Sequence, residues 1–179
     1  MEDIPLRGRE IAGYYTIIGR LEDRGYSEIY LAQTTGADNN ARFLLERTRD
    51  DSEWAWGRFQ DELKRPIEHP HLAPRIGTDW VGGNDPRRGS WQVFQWPGSS
   101  TLATWLAENN HAIEPTLAVQ VMRQVGSAVE YLHTGQPQLL HKHIAPESVG
   151  LVKDAEGGLW AYLRDYGMTE VVQPLYALS

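Results

Sequence analysis

His141-Lys142-His143-Ile144-Ala145-Pro146-Glu147-Ser148-Val149-Gly150-Leu151 begins as a loop and ends as a strand. Its last residues, continued by Val152, form one β-rich run, and Leu159-Trp160-Ala161-Tyr162-Leu163 forms a second. Between them Asp154-Ala155-Glu156-Gly157-Gly158 supplies a turn, so the pair is expected to be a short hairpin. Arg164-Asp165-Tyr166-Gly167 follows directly.

Upstream of the loop the pattern is helical. Pro115 suits the first turn of a long helix reaching His133, and Thr101 can N-cap a shorter one ending near Asn109. At 100° per residue, Leu117, Ala118, Val121, Met122, Val125, Ala128, Val129, Tyr131 and Leu132 occupy about half the circumference of the long helix. A one-sided surface helix has an apolar stripe of only ~100°, so this one is expected to be covered on two sides. Pro97-Gly98-Ser99-Ser100 reads as a linker. Before it the chain reads as strands: a hairpin over Tyr15 to Gln33, a third strand over Ala41 to Arg47, and two more over Leu72 to Val81 and Trp91 to Trp96. Asp50 to Ile67 interrupts them with a helical pattern carrying Trp54, Trp56, Phe59 and Leu63.

Composition narrows the chemistry. The 179 residues include no cysteine, which excludes disulfides, thiolate metal sites and cysteine nucleophiles and fits a reducing cytoplasm. A net charge of −7 argues against a phosphate-binding surface for nucleic acid. Only three lysines occur, Lys64, Lys142 and Lys153. No stretch approaches the ~20 apolar residues of a membrane span, and the start of the chain lacks the features of a secretion signal. The reading is an α+β protein with two parts: residues 1–97, a five-stranded antiparallel meander with one helix, and 98–179, a helical part.

The order of these elements resembles the eukaryotic-like (Hanks-type) serine/threonine protein kinase domain, a bilobal fold. His141 to Leu151 is similar to that family's catalytic loop His-Arg-Asp-Leu-Lys-Pro-Glu-Asn, with Pro146-Glu147 fixing the register, and Asp165-Tyr166-Gly167 is similar to Asp-Phe-Gly. Tyr131-Leu132-His133, His69-Pro70-His71-Leu72 and Val93-Phe94-Gln95-Trp96 match the end of the long helix, the approach to the fourth strand, and the gatekeeper and hinge. The resemblance runs from about Tyr15 to Gly167 and stops short of the family's later helices, so the helical lobe is expected to be shortened.

The resemblance also implies which residues should carry phosphoryl transfer, and the sequence departs at nearly all of them. The three phosphate-cradling glycines fall on Glu22, Arg24 and Ser27. The strand lysine falls on Leu44, or on Leu45 or Glu46 if the preceding turn is longer, with Glu62 the candidate for its helix partner. The base, the phosphate-steadying lysine and the metal-binding Asn become His143, Ala145 and Ser148, and only Asp165 is kept. Gln95 and Trp96 occupy the hinge. The expectation is a pseudokinase that binds neither ATP nor Mg²⁺, holds no other metal and acts as a protein-binding or regulatory module. Its alternatives are an atypical kinase using His143 and Asp165, and a small-molecule binder in the vestigial interlobe cleft.

Two rival sites carry less weight. His141-Lys142-His143 or His69-Pro70-His71 could ligate a metal, but His69 and His141 already match structural positions. The seven tryptophans are scattered over different elements, as packing residues are. A partner protein or a second copy is expected to cover the long helix through Leu117, Val121, Val125, Val129 and Leu132, unless Val171 to Leu178 folds back onto it.

Overall fold

The computed structural model describes residues 6–23, 27–36, 41–48, 67–96, 100–110, 112–136, 138–141, 143–153 and 158–166. The helix expected over Asp50 to Ile67 falls, except for Ile67, outside the described residues, as do Arg24, Glu62 and the C-terminal stretch after Tyr166. Two compact units emerge: Pro74–Trp96 joins the preceding strands in the first, and residues 67–73 join the described residues from 100 to 166 in the second.

The first unit is one antiparallel sheet. Strands β1 (Glu10–Ile11), β2 (Tyr15–Asp23), β3 (Ser27–Thr34), β4 (Arg42–Thr48), β5 (Arg75–Val81) and β6 (Gly89–Gln95) lie in the order β1-β2-β3-β4-β6-β5. The meander is therefore six-stranded rather than five-stranded. The extra strand has two residues, too few to show a period of two, and left-handed backbone at Gly8, Ala12 and Gly13 turns the chain into and out of it. Leu6 and Ile11 bury themselves against Ile17, Tyr30, Ala32, Leu45, Trp91 and Val93. The sheet's far edge is tied to this end: the Ala12 amide donates to Asp79 Oδ2 (2.8 Å), and Arg87 donates to the Glu10 carbonyl (2.7 Å).

In the second unit β7 (Ser100–Thr101) pairs with β8 (Val149–Lys153), which pairs with β9 (Leu159–Leu163). Ser100, read as linker, is thus already strand. Thr101 Oγ1 caps helix α1 (Leu102–Glu108) by accepting from the Thr104 amide (3.1 Å), as its sequence position suggests. Helix α2 (Pro115–Thr134) starts at its proline, and the Glu114 carboxylate accepts from the Leu117 amide (3.0 Å). Among the described residues no helix is long and apolar enough to cross a membrane.

The apolar half of α2 is largely covered by its own chain. Val121, Val125, Ala128 and Leu132 are buried, with β9 packed along the helix, and Leu117 and Val129 are half-buried. This corrects the expected interface: three of its five residues already have intramolecular neighbours, and the apolar side chains left in solvent are Val119 (59% exposed) and Met122 (68%). Gln124 fixes the packing, donating to the Leu159 carbonyl (3.2 Å) and accepting from the Ala161 amide (2.6 Å).

The strand expected over Leu72 to Val81 begins only at Arg75. Leu72 bridges in parallel to Leu163, the Leu163 amide donates to the His71 carbonyl (2.8 Å), and the Ala73 amide donates to the Leu163 carbonyl (2.9 Å). Residues 69–73 therefore finish the outer edge of β9, and Pro74, which lacks an N–H, separates them from β5. His71 stacks on Trp160 (4.5 Å) and its Nδ1–H donates to the Ala161 carbonyl (2.9 Å). His69 stacks on Tyr131 (5.2 Å), and its Nδ1 accepts from the His71 amide (3.1 Å).

Two tests follow from this packing. A Cβ on Gly150 would strike the Tyr162 ring, while the Tyr162 hydroxyl is buried without a hydrogen-bond partner among the described residues and burial pushes its pKa up to about 12. In chemical denaturation, Gly150→Ala is expected to lose about 1–3 kcal/mol, and Tyr162→Phe to be neutral or stabilising by up to about 1 kcal/mol. The second concerns acid. Burial, and then the His71 ring, hold His69 below its ordinary value of 6.5. A base whose pKa falls on folding adds stability above about pH 6.5 and loses it as the pH drops toward the folded value. The melting temperature should fall on acidification from about pH 7.5 to about pH 5.5, and His69→Gln should lessen the fall.

Candidate functional site

The loop from His141 to Ser148 is held by hydrogen bonds to its own backbone and to the end of β9. His141 is fully buried; its Nδ1 accepts from the His143 amide (3.3 Å), so Nε2 carries the proton donated to the Arg164 carbonyl (2.6 Å). The Arg164 amide in turn donates to the Ser148 carbonyl (2.9 Å), and its guanidinium donates to the Glu147 carbonyl. Asp165, next in the chain, is nearly buried and has a left-handed backbone (φ 65°), a conformation Asp tolerates better than most residues. Tyr166 is buried, its hydroxyl bonded to the Ala73 carbonyl (2.6 Å).

Within this frame each position expected to carry chemistry has a definite state. Ser148 is buried and its hydroxyl is committed: Oγ accepts from the Ala145 amide (3.0 Å) and donates to the Ala145 carbonyl (2.8 Å). Pro146–Ser148 form a single 3₁₀ turn closed by that clasp. Ala145 offers only a methyl group, and His143 is exposed. The loop is well built, but its one side-chain oxygen at the family's metal-ligand position is spent on the backbone.

In the strand unit, Glu22 and Ser27 belong to β2 and β3, with Glu22 opposite Ile29 and Ser27 opposite Thr48. Leu44 lies in an apolar row with Leu31 and Phe94 and is buried. Two residues on, facing the same side, Glu46 lies opposite Ile29 and Gln92 and is 1% exposed. Ser27 Oγ donates to Glu46 Oε1 (3.1 Å). Of the three places open to the strand lysine, Glu46 is bonded to Ser27, one of the three glycine-loop positions, while Leu44 packs in the apolar row. Gln95 is exposed at the end of β6, its amide bonded to the Pro74 carbonyl (2.9 Å), and the Trp96 amide donates to the Arg42 carbonyl (3.2 Å). Gln124 and Arg164, which position β9 and the loop, were not singled out by any motif; the only sequence signal for either was a lone arginine continuing an apolar strand.

No protein-family model matches the chain. It is 25% identical over 148 residues to serine/threonine-protein kinase PrkC of Bacillus subtilis (strain 168), a match covering 80% of this chain and 22% of PrkC. Among solved structures it matches the kinase domain of Mycobacterium tuberculosis PknI with a TM-score of 0.65 and 24% identity, covering 90% of this chain and 62% of that one. A double mutant of the same domain gives a TM-score of 0.68 and 23% identity, covering 90% of this chain and 61% of that one. The chain thus spans about a fifth of the length of its curated relative and about three fifths of the solved domains. With the strand order, the clasped loop and the Asp165 turn, these matches give the chain the fold of a Hanks-type serine/threonine protein kinase domain over the part of that domain it spans.

Proposed function

We propose that the chain is a pseudokinase: a kinase-like module that transfers no phosphoryl group, binds neither ATP nor Mg²⁺, and works in the cytoplasm by binding another protein. The observation that carries the reading is Glu46. Phosphoryl transfer in this fold depends on positioning and on neutralising phosphate charge. A unit charge 4 Å from another is worth about 4 kcal/mol at the effective dielectric of a protein surface. Replacing a lysine by an ionised Glu46 turns that attraction into repulsion of similar size; a protonated Glu46 still supplies no cation. Ser148, its oxygen committed to Ala145, adds a second loss on the loop. Asp165 alone keeps the family's residue, and a single carboxylate is a weak hold on Mg²⁺.

Two measurements on one preparation test this. Millimolar ATP with Mg²⁺ is expected to leave the melting temperature unchanged, whereas a ligand at 100 times its dissociation constant would stabilise by about 2.7 kcal/mol. Labelled ATP with generic protein substrates is expected to give no transfer above that of Asp165→Ala. Transfer abolished by that substitution would refute the reading.

A further inference from the structure

The exposed side of α2 faces away from the buried one. Taking Thr116 as the origin at 100° per residue, Gln120, Arg123 and Ser127 fall within about 40° of it, and Val119 flanks them about 60° away. Val121, Val125, Ala128 and Leu132 lie about 120–180° round, on the side packed into the chain. With His71 as the opposite wall, the exposed stripe lines a cavity of about 450 Å³. Beyond His71 stands Trp160, stacked on it and 43% exposed.

We infer that this groove docks an extended acidic peptide that alternates carboxylates with apolar side chains. The inference rests on the binding-module reading. Arg123 lies on the groove floor with no hydrogen bond or ion pair among the described residues, in a chain whose acids outnumber its bases, 24 to 17. A free guanidinium presents a planar fork matched to a carboxylate. Of the described carboxylates on this helix, Glu114 is held at its start by the Thr116 and Leu117 amides, and Glu130, on the same stripe, lies about 10 Å along the axis beyond Arg123. Val119 and the Trp160 indole provide apolar surface, and the Thr116 and Gln120 side chains can pair with a peptide backbone. A small molecule is disfavoured because its sites enclose most of the ligand, whereas one helix face and a single loop residue leave this groove open. From Thr116 to Ser127 the helix rises about 16 Å, enough for about five residues of extended chain.

The probe is a fluorescein-labelled peptide of alternating Glu and Leu, beside its Lys-and-Leu counterpart, read by anisotropy on the full chain. The acidic peptide is expected to bind, the basic one to bind at least tenfold more weakly, and added salt to weaken the acidic complex. Arg123→Glu and Val119→Asp, each shown folded by circular dichroism, should weaken binding at least tenfold. Met122→Ala, exposed but about 120° round the helix from the stripe, should leave it unchanged. No binding at millimolar peptide, equal binding of both peptides, full affinity in Arg123→Glu, or complete displacement by free glutamate would each overturn the inference. Assaying phosphoryl transfer on the same preparations separates the two failures: transfer removes the module reading, whereas absent transfer with absent binding removes only the groove.

Discussion

The second unit depends on how the outer edge of β9 is satisfied. A strand with one neighbour presents a row of unpaired N–H and C=O groups on its other side, a free-energy cost in the interior and an invitation to foreign strands at the surface. Here three elements share that edge: Gln124 takes the Leu159 carbonyl and the Ala161 amide, the His71 ring takes the Ala161 carbonyl, and residues 71–73 bracket Leu163. Because β9 runs straight into Arg164, the same bonds set where the His141 loop is anchored. The helix, the His69-to-Ala73 segment and the loop are held through one five-residue strand.

This explains why scaffold and chemistry separate so cleanly. His141, Tyr166 and the register of β9 hold the loop through groups that need no cofactor. His143, Ala145 and Ser148 can then differ from the family's residues while the backbone around them keeps its course. Ser148 adds to stability as a clasp, since its hydroxyl supplies both a donor and an acceptor to Ala145 within one turn. A net hydrogen bond is worth about 1 kcal/mol, and the hydroxyl gains this locally.

Much of the fold was legible in the sequence because its signals are local: the β-rich runs around Gly and Asn turns, Pro115 and Thr101 at helix starts, and the loop before Val149. What was not legible is non-local. Two-residue β1 has no period to detect. Residues 72–74 looked like the start of a strand because they are apolar, yet their partner is Leu163, some 90 residues away in the chain. The apolar arc of α2 was read as a face to be covered, but periodicity cannot name the cover, which among the described residues includes β9, neither the tail nor the partner that the sequence suggested. The register of β4 depended on the length of a turn, and a strand pattern alone leaves that open.

Glu46 shows how far a shift of two residues carries. With Leu44 at the lysine position, the site would merely lack a cation, which a lysine or arginine from elsewhere would restore. With Glu46 there, bonded to Ser27 and almost without solvent, the position holds an acid with partners inside the protein. Such a group supplies no cation to a phosphate and, when ionised, repels it. Inactivity in this reading therefore follows from an acid in place of a base, a stronger condition than the loss of a lysine.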